Sequence, residues 1–428
     1  MKMSTGNTVK EIISKRIGDK YYKVHHNSGL TIYVYPKEGY NSTYATFGTK
    51  YGSINTTFSL DDGPQIRIPD GIAHFLEHKL FENEELDAFE RFAKTGANAN
   101  AYTTFDRTCY LFSSTEKFQE NLEILLDFVR SPYFTEESVQ KEQGIIGQEI
   151  RMYDDSPEWR VLVNMLKAMY HNHPVKIDIA GTIESISDIT VQKLFDCYHV
   201  FYNLNNMVLC VSGNTSLQEV LEIADKSLAP DEKYKIINHF EEEPYSIVKP
   251  YVEQKLPVSV ELFNLGFKER ASEIPDSSKD LAVKEILLAI LASATSQLYR
   301  DLMDKKLINT SFGYELFHGP YFNAVVFSGE SRHPEKTADI IKEYISNAKR
   351  DGISEEDFEM VKKAVYGEEI ASLNSVDSIS NSLVDCHFSN REFFGYIDEI
   401  SSITFEDVQK KLHEILDVNN CSLSVIRK

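Results

Sequence analysis

Two histidines and a glutamate stand at a spacing that suits zinc chemistry. His74, Glu77 and His78 form an H-x-x-E-H pattern within the segment HFLEH. Residues four apart on an α-helix share one face, about 6 Å from each other, so both imidazoles can reach one zinc ion. Glu77 can then reach a water at an open metal position and act as a general base. With 12 histidines in 428 residues, about 0.03 accidental matches are expected, so the pattern is specific.

A catalytic zinc site needs a third protein ligand and an open fourth position. Glu142 and Glu149 lie seven residues apart in a predicted helix and therefore on nearly the same face. By spacing alone either carboxylate could reach the histidines, and each could equally be a solvated side chain on an exposed stripe. The apolar neighbours Ile145, Ile146 and Ile150 favour lower exposure for Glu149.

Hydrophobic periodicity predicts the elements that position these side chains. Apolar residues at three- and four-residue steps predict a helix from about 72 to 81 and another from about 136 to 152. Alternation predicts a hairpin over 98–113. Ser113 and Glu116 have the spacing of a capping box that would open a helix to about residue 129. In sequence order, the hairpin thus lies between the helix that carries the two histidines and the helix that carries Glu142 and Glu149.

The second half of the chain repeats this order of elements. The predicted elements are a strand at 258–267, a strongly apolar helix at 280–303, a hairpin at 311–328 turning at Gly319 and Pro320, and helices at 334–350 and 355–373. A repeat of roughly 200 residues indicates an α+β protein with two similar domains. We predict an N-terminal domain at 1–230 with the zinc site, a charged linker at 231–249, and a C-terminal domain at 250–428 without a metal site.

Composition excludes several classes of function. A net charge of −21 repels nucleic acid and anionic membranes. The first 22 residues lack the apolar core of a signal peptide, and no later stretch resembles a membrane span. The five scattered cysteines contain no C-x-x-C spacing and are typical of buried residues in a reducing compartment. A cytoplasmic location is the expectation.

HFLEH, followed about 70 residues later by EQGIIGQE, resembles the M16 family of zinc peptidases (pitrilysin, insulinase and mitochondrial processing peptidase), and most of all its bacterial members of the YmfH kind. The resemblance implies two domains of the LuxS/MPP-like metallohydrolase type, with mostly antiparallel sheets and helices packed on one face. It implies Glu149 as the third zinc ligand and Glu142 as a support behind the metal site, so that Glu77 and Glu142 are the catalytic residues it predicts.

The family's N-A-x-T edge strand, where substrate backbone adds as a further strand, is similar to the segment that contains Asn100, Ala101 and Thr103. These three residues are the candidates for substrate binding, although an ordinary hairpin would also explain the pattern. The edge of a strand accepts many extended peptides through main-chain hydrogen bonds. The resemblance therefore implies an endopeptidase acting on extended or unfolded peptides.

The C-terminal half lacks the expected hydrogen-bond donors to the oxyanion that forms during peptide hydrolysis. Family members use an Arg and a Tyr from the C-terminal domain, where this chain has Met303 and Thr310; Arg300 and Tyr314 are nearby at the wrong spacing. We therefore expect the zinc-bearing subunit of a dimer. A homodimer remains an alternative, and a heterodimer whose partner supplies the pair is preferred. The alternative is a non-catalytic scaffold or assembly subunit derived from the same family.

His171 and His173 raise the question of a second metal site. No carboxylate or Cys stands at ligand spacing from them. We therefore interpret this segment as a structural turn.

Overall fold

The computed structural model describes residues 6–84, 86–270 and 272–428. The chain forms an α+β protein with two compact units. Unit 1 comprises Met1–Gln148, Ile179–His239 and Ala371–Phe394, and unit 2 comprises Glu149–Asp178, Phe240–Ile370 and Gly395–Lys428.

The strands are β1 (Thr8–Ile13), β2 (Lys20–His25), β3 (Thr31–Pro36), β4 (Thr43–Thr49), β5 (Thr57–Leu60), β6 (Ile66–Arg67), β7 (Asn98–Thr103), β8 (Thr108–Ser114), β9 (Met207–Gly213), β10 (Ile236–Asn238), β11 (Tyr251–Lys255), β12 (Leu262–Lys268), β13 (Gly313–Gly319), β14 (Phe322–Glu330) and β15 (Cys421–Arg427).

The α-helices are α1 (Ile72–Phe81), α2 (Ala88–Thr95), α3 (Phe118–Arg130), α4 (Glu136–Asp154), α5 (Pro157–Met169), α6 (Ile183–Ser187), α7 (Val191–Phe201), α8 (Leu217–Ser227), α9 (Ser278–Ala292), α10 (Gln297–Asp304), α11 (Pro334–Asp351), α12 (Glu355–Ser372), α13 (Val376–Phe388), α14 (Phe393–Ser402) and α15 (Phe405–Glu414). Short 3₁₀ turns lie at Pro174–Lys176 and Leu204–Asn206.

The two main sheets share one topology. In unit 1 the strand order is β1-β2-β3-β9-β4-β8-β7, and only β3 and β9 pair in parallel. In unit 2 the order is β11-β15-β12-β14-β13, and only β11 and β15 pair in parallel. Five strands of each sheet thus correspond in order and direction, which confirms the predicted pair of similar, mostly antiparallel α+β folds.

Each unit contains a helix from the other half of the sequence. Helix α5 packs against β11, β12 and β15 of unit 2, whereas α13 packs against β3, β4 and β9 of unit 1. The compact units therefore differ from the contiguous ranges predicted for the domains, because 149–178 and 371–394 are exchanged between the halves.

Helices cover both faces of the unit 1 sheet rather than one. The neighbouring β8 residues Cys109 and Tyr110 point to opposite faces. A side chain at Gly48, the residue paired with Cys109, would meet Val384 of α13. The Tyr110 ring instead lies 5.7 Å from that of Phe128 in α3. The sheet centre is therefore buried on both faces.

The segment predicted as a linker is held by a buried ion pair in unit 2. Lys268 Nζ lies 2.6 Å from Glu243 Oε1, and their side chains are 2% and 1% exposed. The Glu243 carboxylate also accepts the backbone N–H groups of His171, Asn172 and His173. The pKa of Glu243 is lowered, since these hydrogen bonds outweigh the opposing effect of its burial.

His173 has a structural role. Its Nδ1 accepts the N–H of Val175, and its Nε2 lies 3.0 Å from the carbonyl oxygen of Pro320. Burial lowers the pKa of His173 to about 4, so the imidazole is neutral at physiological pH. These contacts agree with the structural turn predicted for this segment.

Two local expectations differ from the structure. Lys117, not Ser113, is the N-cap of α3, and it adopts φ 52° without a side-chain cap. Ser113 is part of β8 and pairs with Tyr44, so the sheet overrides the capping pattern. The predicted helix at 280–303 is divided into α9 and α10.

One stretch of the described residues, Ser278–Asp304, is long and apolar enough by length and composition to cross a membrane, which differs from the sequence expectation. A buried core helix meets the same criteria, and 67% of the most apolar part of Ser278–Asp304 is buried. Leu287, Leu291 and Leu302 of this stretch belong to the apolar core of unit 2. Core packing therefore accounts for its composition.

Candidate metal centre

Helix α1 begins at a close approach between two backbone segments. Gly71 precedes the helix with φ 88°, and a Cβ there would lie 2.4 Å from the carbonyl oxygen of Ala180. Gly181 has φ 75°, and a Cβ there would lie 2.6 Å from the carbonyl oxygen of Asp70. Only glycine fits such contacts without strain. The loop at Ala180 and Gly181 thus fixes the start of the helix that carries the histidines.

The apolar side of α1 anchors it in unit 1 and leaves the histidines and Glu77 beside one another. Phe75, Leu76 and Leu80 are at most 1% exposed. The rings of His74 and His78 have centroids 4.7 Å apart, as expected for residues one turn apart. Burial, with a smaller contribution from His78, lowers the pKa of His74 to about 3. His74 is therefore neutral at physiological pH, the form that binds metal ions.

Helix α4 presents both candidate carboxylates to the histidines, and they take different places. Glu142 Oε1 lies 2.9 Å from His78 Nδ1. Glu149 forms a group with His74 and His78 in which one ligand atom from each lies within 4.8 Å of the others. The carboxylate accepts from Nδ1–H, so the lone pair of the His78 imidazole is at Nε2. The geometry thus groups Glu149 with the two histidines, whereas Glu142 contacts Nδ1 of His78.

The chemistry of this donor set fits zinc. Two imidazole nitrogens and one carboxylate oxygen are the ligands of one common class of catalytic zinc site, which keeps a fourth position open. A carboxylate that holds the second nitrogen of a histidine ligand is a usual companion of such sites. His74, His78 and Glu149 would hold the ion, and Glu142 would fix the tautomer of His78.

Glu77 is held from the neighbouring strand. Thr103 Oγ1 donates a hydrogen bond of 2.6 Å to Glu77 Oε2. Thr103 lies 3.3 Å from the hydroxyl of Thr108, which donates to the carbonyl oxygen of Tyr51. The residue predicted to bind substrate therefore contacts the predicted general base.

Strand β7 is the last strand of its sheet, so within the described residues one of its edges has no strand partner. Asn100 is exposed, and its Oδ1 accepts the N–H of Ala101. Ala101 is half-buried.

Unit 2 contains the residues that stand near the family's Arg and Tyr positions. Met303 packs against the apolar core, and Thr310 is exposed. Arg300 donates to Gln297 Oε1, and the Tyr314 hydroxyl donates to Glu285 Oε1 at 2.7 Å. Arg300 and Tyr314 are thus both engaged with side chains of their own unit.

Sequence reasoning missed Tyr153. Its hydroxyl donates to Glu149 Oε1 at 2.9 Å, and its ring lies 5.4 Å from that of Trp159. The available signal was its position four residues after Glu149, since residues four apart on a helix are neighbours.

Comparison with known proteins gives the family. Residues 65–183 match the family model described as Insulinase (Peptidase family M16), and residues 188–365 match that of the Peptidase M16 inactive domain. The uncharacterized zinc protease YmfH of Bacillus subtilis (strain 168) is 38% identical over 416 residues, covering 95% of this chain and 96% of the relative. The uncharacterized zinc protease YmxG of the same organism is 27% identical over 330 residues, covering 75% of this chain and 78% of the relative.

Two solved structures have a fold similar to that of this chain. The crystal structure of an M16-like protein from Alicyclobacillus acidocaldarius superimposes with a TM-score of 0.90 at 33% identity, covering 99% of each chain. A protease from Helicobacter pylori superimposes with a TM-score of 0.81 at 19% identity, covering 98% of this chain and all of the other, and this likeness concerns the fold alone. The chain belongs to peptidase family M16, the insulinase family, in which the relatives described above are named zinc proteases.

Proposed function

We propose that this protein is a zinc-dependent endopeptidase that hydrolyses extended or unfolded peptides. The observation that carries the proposal is the convergence of His74, His78 and Glu149 within 4.8 Å, with Glu77 on the same helical turn as His78. The names of the relatives support a peptidase role. A bare metal-binding protein would have no use for Glu77.

The residues of the site divide the chemistry between them. Zinc, when bound, supplies a Lewis acid that lowers the pKa of a water and polarises the substrate carbonyl. Glu77 accepts a proton from the attacking water and then donates it to the leaving amine. Thr103 orients the Glu77 carboxylate through its hydrogen bond to Oε2. Glu142 holds the imidazole of His78 in the tautomer that binds metal.

The substrate adds to β7 as a further strand. Main-chain hydrogen bonds give affinity for an extended backbone with little selection among side chains. Such binding favours unfolded segments, because a folded substrate has already paired its backbone groups. Asn100 and Ala101 are the β7 residues that we assign to this contact, with Thr103 at the strand's end beside the general base.

The chain works as the zinc-bearing subunit of a dimer. Hydrolysis passes through a tetrahedral oxyanion, and loss of one donor to it commonly costs about 3 kcal/mol or more. Arg300 and Tyr314 are engaged within unit 2, and Met303 and Thr310 cannot replace an Arg and a Tyr. A related subunit that carries the Arg and the Tyr would complete the site. We propose that this complex works in the cytoplasm. The isolated chain should bind zinc and cleave peptides poorly, and robust turnover by the isolated chain would contradict this division.

The test is a quenched-peptide assay on tagged protein purified from its source cells with its partners. The variant Glu77→Gln should bind zinc as the native protein does and lose turnover, because only the base is removed. Glu90→Gln, an exposed change on α2, is the matched control and should leave turnover unchanged. A native complex that binds zinc and cleaves no extended peptide would instead support the scaffold alternative.

A further inference from the structure

The carboxylate of Glu149 is held by a tyrosine on its own helix. Tyr153 follows Glu149 by four residues on α4, so their side chains are neighbours on one face. The hydroxyl of Tyr153 donates to Glu149 Oε1 over 2.9 Å. A hydrogen bond to one oxygen of a planar carboxylate restricts the direction of both oxygens.

The ring of Tyr153 is itself restrained. It lies 5.4 Å from the ring of Trp159 at an interplanar angle of 36°. The indole Nε1–H of Trp159 donates to Asp178 Oδ2 over 2.6 Å, and the backbone N–H of Trp159 bonds to the Ser156 hydroxyl that caps α5. The connection from α4 to α5 is only two residues long, so the cap directs the indole back onto Tyr153. The phenol therefore has a fixed place from which to hold the carboxylate.

His78 has a hydrogen-bond partner of the same kind. Glu142 holds His78 over 2.9 Å, just as Tyr153 holds Glu149. Hydrogen-bond partners of metal ligands fix ligand direction, and their loss typically weakens metal binding 10- to 100-fold. A glutamate needs such help, because its side chain has several rotatable bonds whose freedom is lost on binding.

We propose that Tyr153 is a positioning residue of the metal centre, which orients Glu149 toward the ion and is itself held by Trp159. The inference rests on the proposed zinc site and assigns a role to a residue outside the ligand set and outside the general base. It concerns the affinity for metal, so it can be tested without a substrate or a partner subunit.

The experiment measures zinc affinity by competition with a chromogenic chelator on the full chain. Tyr153→Phe keeps the ring against Trp159 and removes the hydroxyl. It should weaken zinc binding by about 10- to 100-fold. Tyr314→Phe is the matched control, because it removes a similar tyrosine-to-glutamate hydrogen bond on a residue outside the metal group. This control should bind zinc like the native chain.

Two further readings distinguish positioning from general stability. The metal-free Tyr153→Phe protein should have the same unfolding temperature as the metal-free native chain. The visible absorption of its cobalt-loaded form should differ from that of the cobalt-loaded native chain, since the carboxylate would approach the ion differently. Trp159 is the only tryptophan of the chain, so its emission should change as zinc alone is titrated into the native protein.

The outcomes separate the two proposals. A native chain that fails to bind zinc contradicts the proposed function. A native chain that binds zinc while Tyr153→Phe binds it equally well, with an unchanged cobalt spectrum, overturns the positioning role alone. An equal loss of affinity in Tyr314→Phe would also overturn it, because the effect would then not be specific to the ligand.

Discussion

Replacing Glu142 tests whether its hydrogen bond to His78 supports metal binding, without changing the three proposed ligands. Its Oε1 lies 2.9 Å from His78 Nδ1, and the side chains of His78 and Glu142 are only 27% and 13% exposed. Glu142→Gln keeps an acceptor but removes the charge, and a charge-assisted hydrogen bond is about twice as strong as a neutral one. The difference is about 1 kcal/mol, or about fivefold in zinc affinity. Glu142→Leu removes the acceptor as well and should cost about 10- to 100-fold.

The assay is zinc competition against a chelator of known affinity, on protein stripped of metal. Glu137→Gln serves as the control, because Glu137 is an exposed carboxylate in the first turn of the same helix. The expected order of zinc affinity is native and Glu137→Gln, then Glu142→Gln, then Glu142→Leu. If Glu142→Leu bound zinc as tightly as the native chain, the hydrogen bond to His78 would have no part in metal binding, and the reasoning would be refuted.

Further predictions concern stability and the general base. Lys268→Met leaves the buried Glu243 carboxylate without its cation and should lower the free energy of unfolding by about 3–5 kcal/mol in urea titrations; an unchanged midpoint would contradict this. The folded-state pKa of Glu243 lies below the ordinary glutamate value of 4.5, so its contribution to stability is complete above that value and is lost as the pH falls through the folded pKa. Thermal unfolding should therefore show an acid-dependent loss below about pH 4.5 that is smaller in Glu243→Gln, and equal losses would argue against it. Thr103→Val should lower kcat with native zinc content while Thr103→Ser retains activity, and equal rates for both would remove Thr103 from the mechanism. Gly144 lies inside α4 with open space around its missing side chain, so Gly144→Ala should raise the urea midpoint by the equivalent of about 0.5–1 kcal/mol, and a lower midpoint would show a steric role for this glycine.

The sequence predicted the parts of the site that depend on local geometry. The spacing of His74 and His78 on a periodic apolar helix determines that their rings share a face, and α1 has the predicted bounds. Spacing alone left open whether Glu142 or Glu149 is the third ligand, because residues seven apart on a helix lie on the same face. Only the way in which this helix packs near the histidines distinguishes the two carboxylates. The family resemblance favoured Glu149 as the ligand, and the structure groups that carboxylate with the histidines.

Local sequence patterns could not predict contacts between residues that are far apart in the chain. The exchange of α5 and α13 depends on which sheet buries each helix, and an amphipathic sequence does not name its partner surface. The bond from Thr103 to Glu77 joins a strand to a helix through tertiary packing. Lys117 is the N-cap residue of α3 and provides no side-chain cap, because Ser113 is already part of β8 and does not cap the helix.

The most direct measurement is the zinc content of the full chain and of Glu149→Ala after dialysis against a limiting concentration of free zinc. We predict about one zinc ion per native chain and a large loss in the variant, because two histidines alone would hold the ion weakly. Equal zinc content in the two proteins would contradict the claim that His74, His78 and Glu149 form the metal centre.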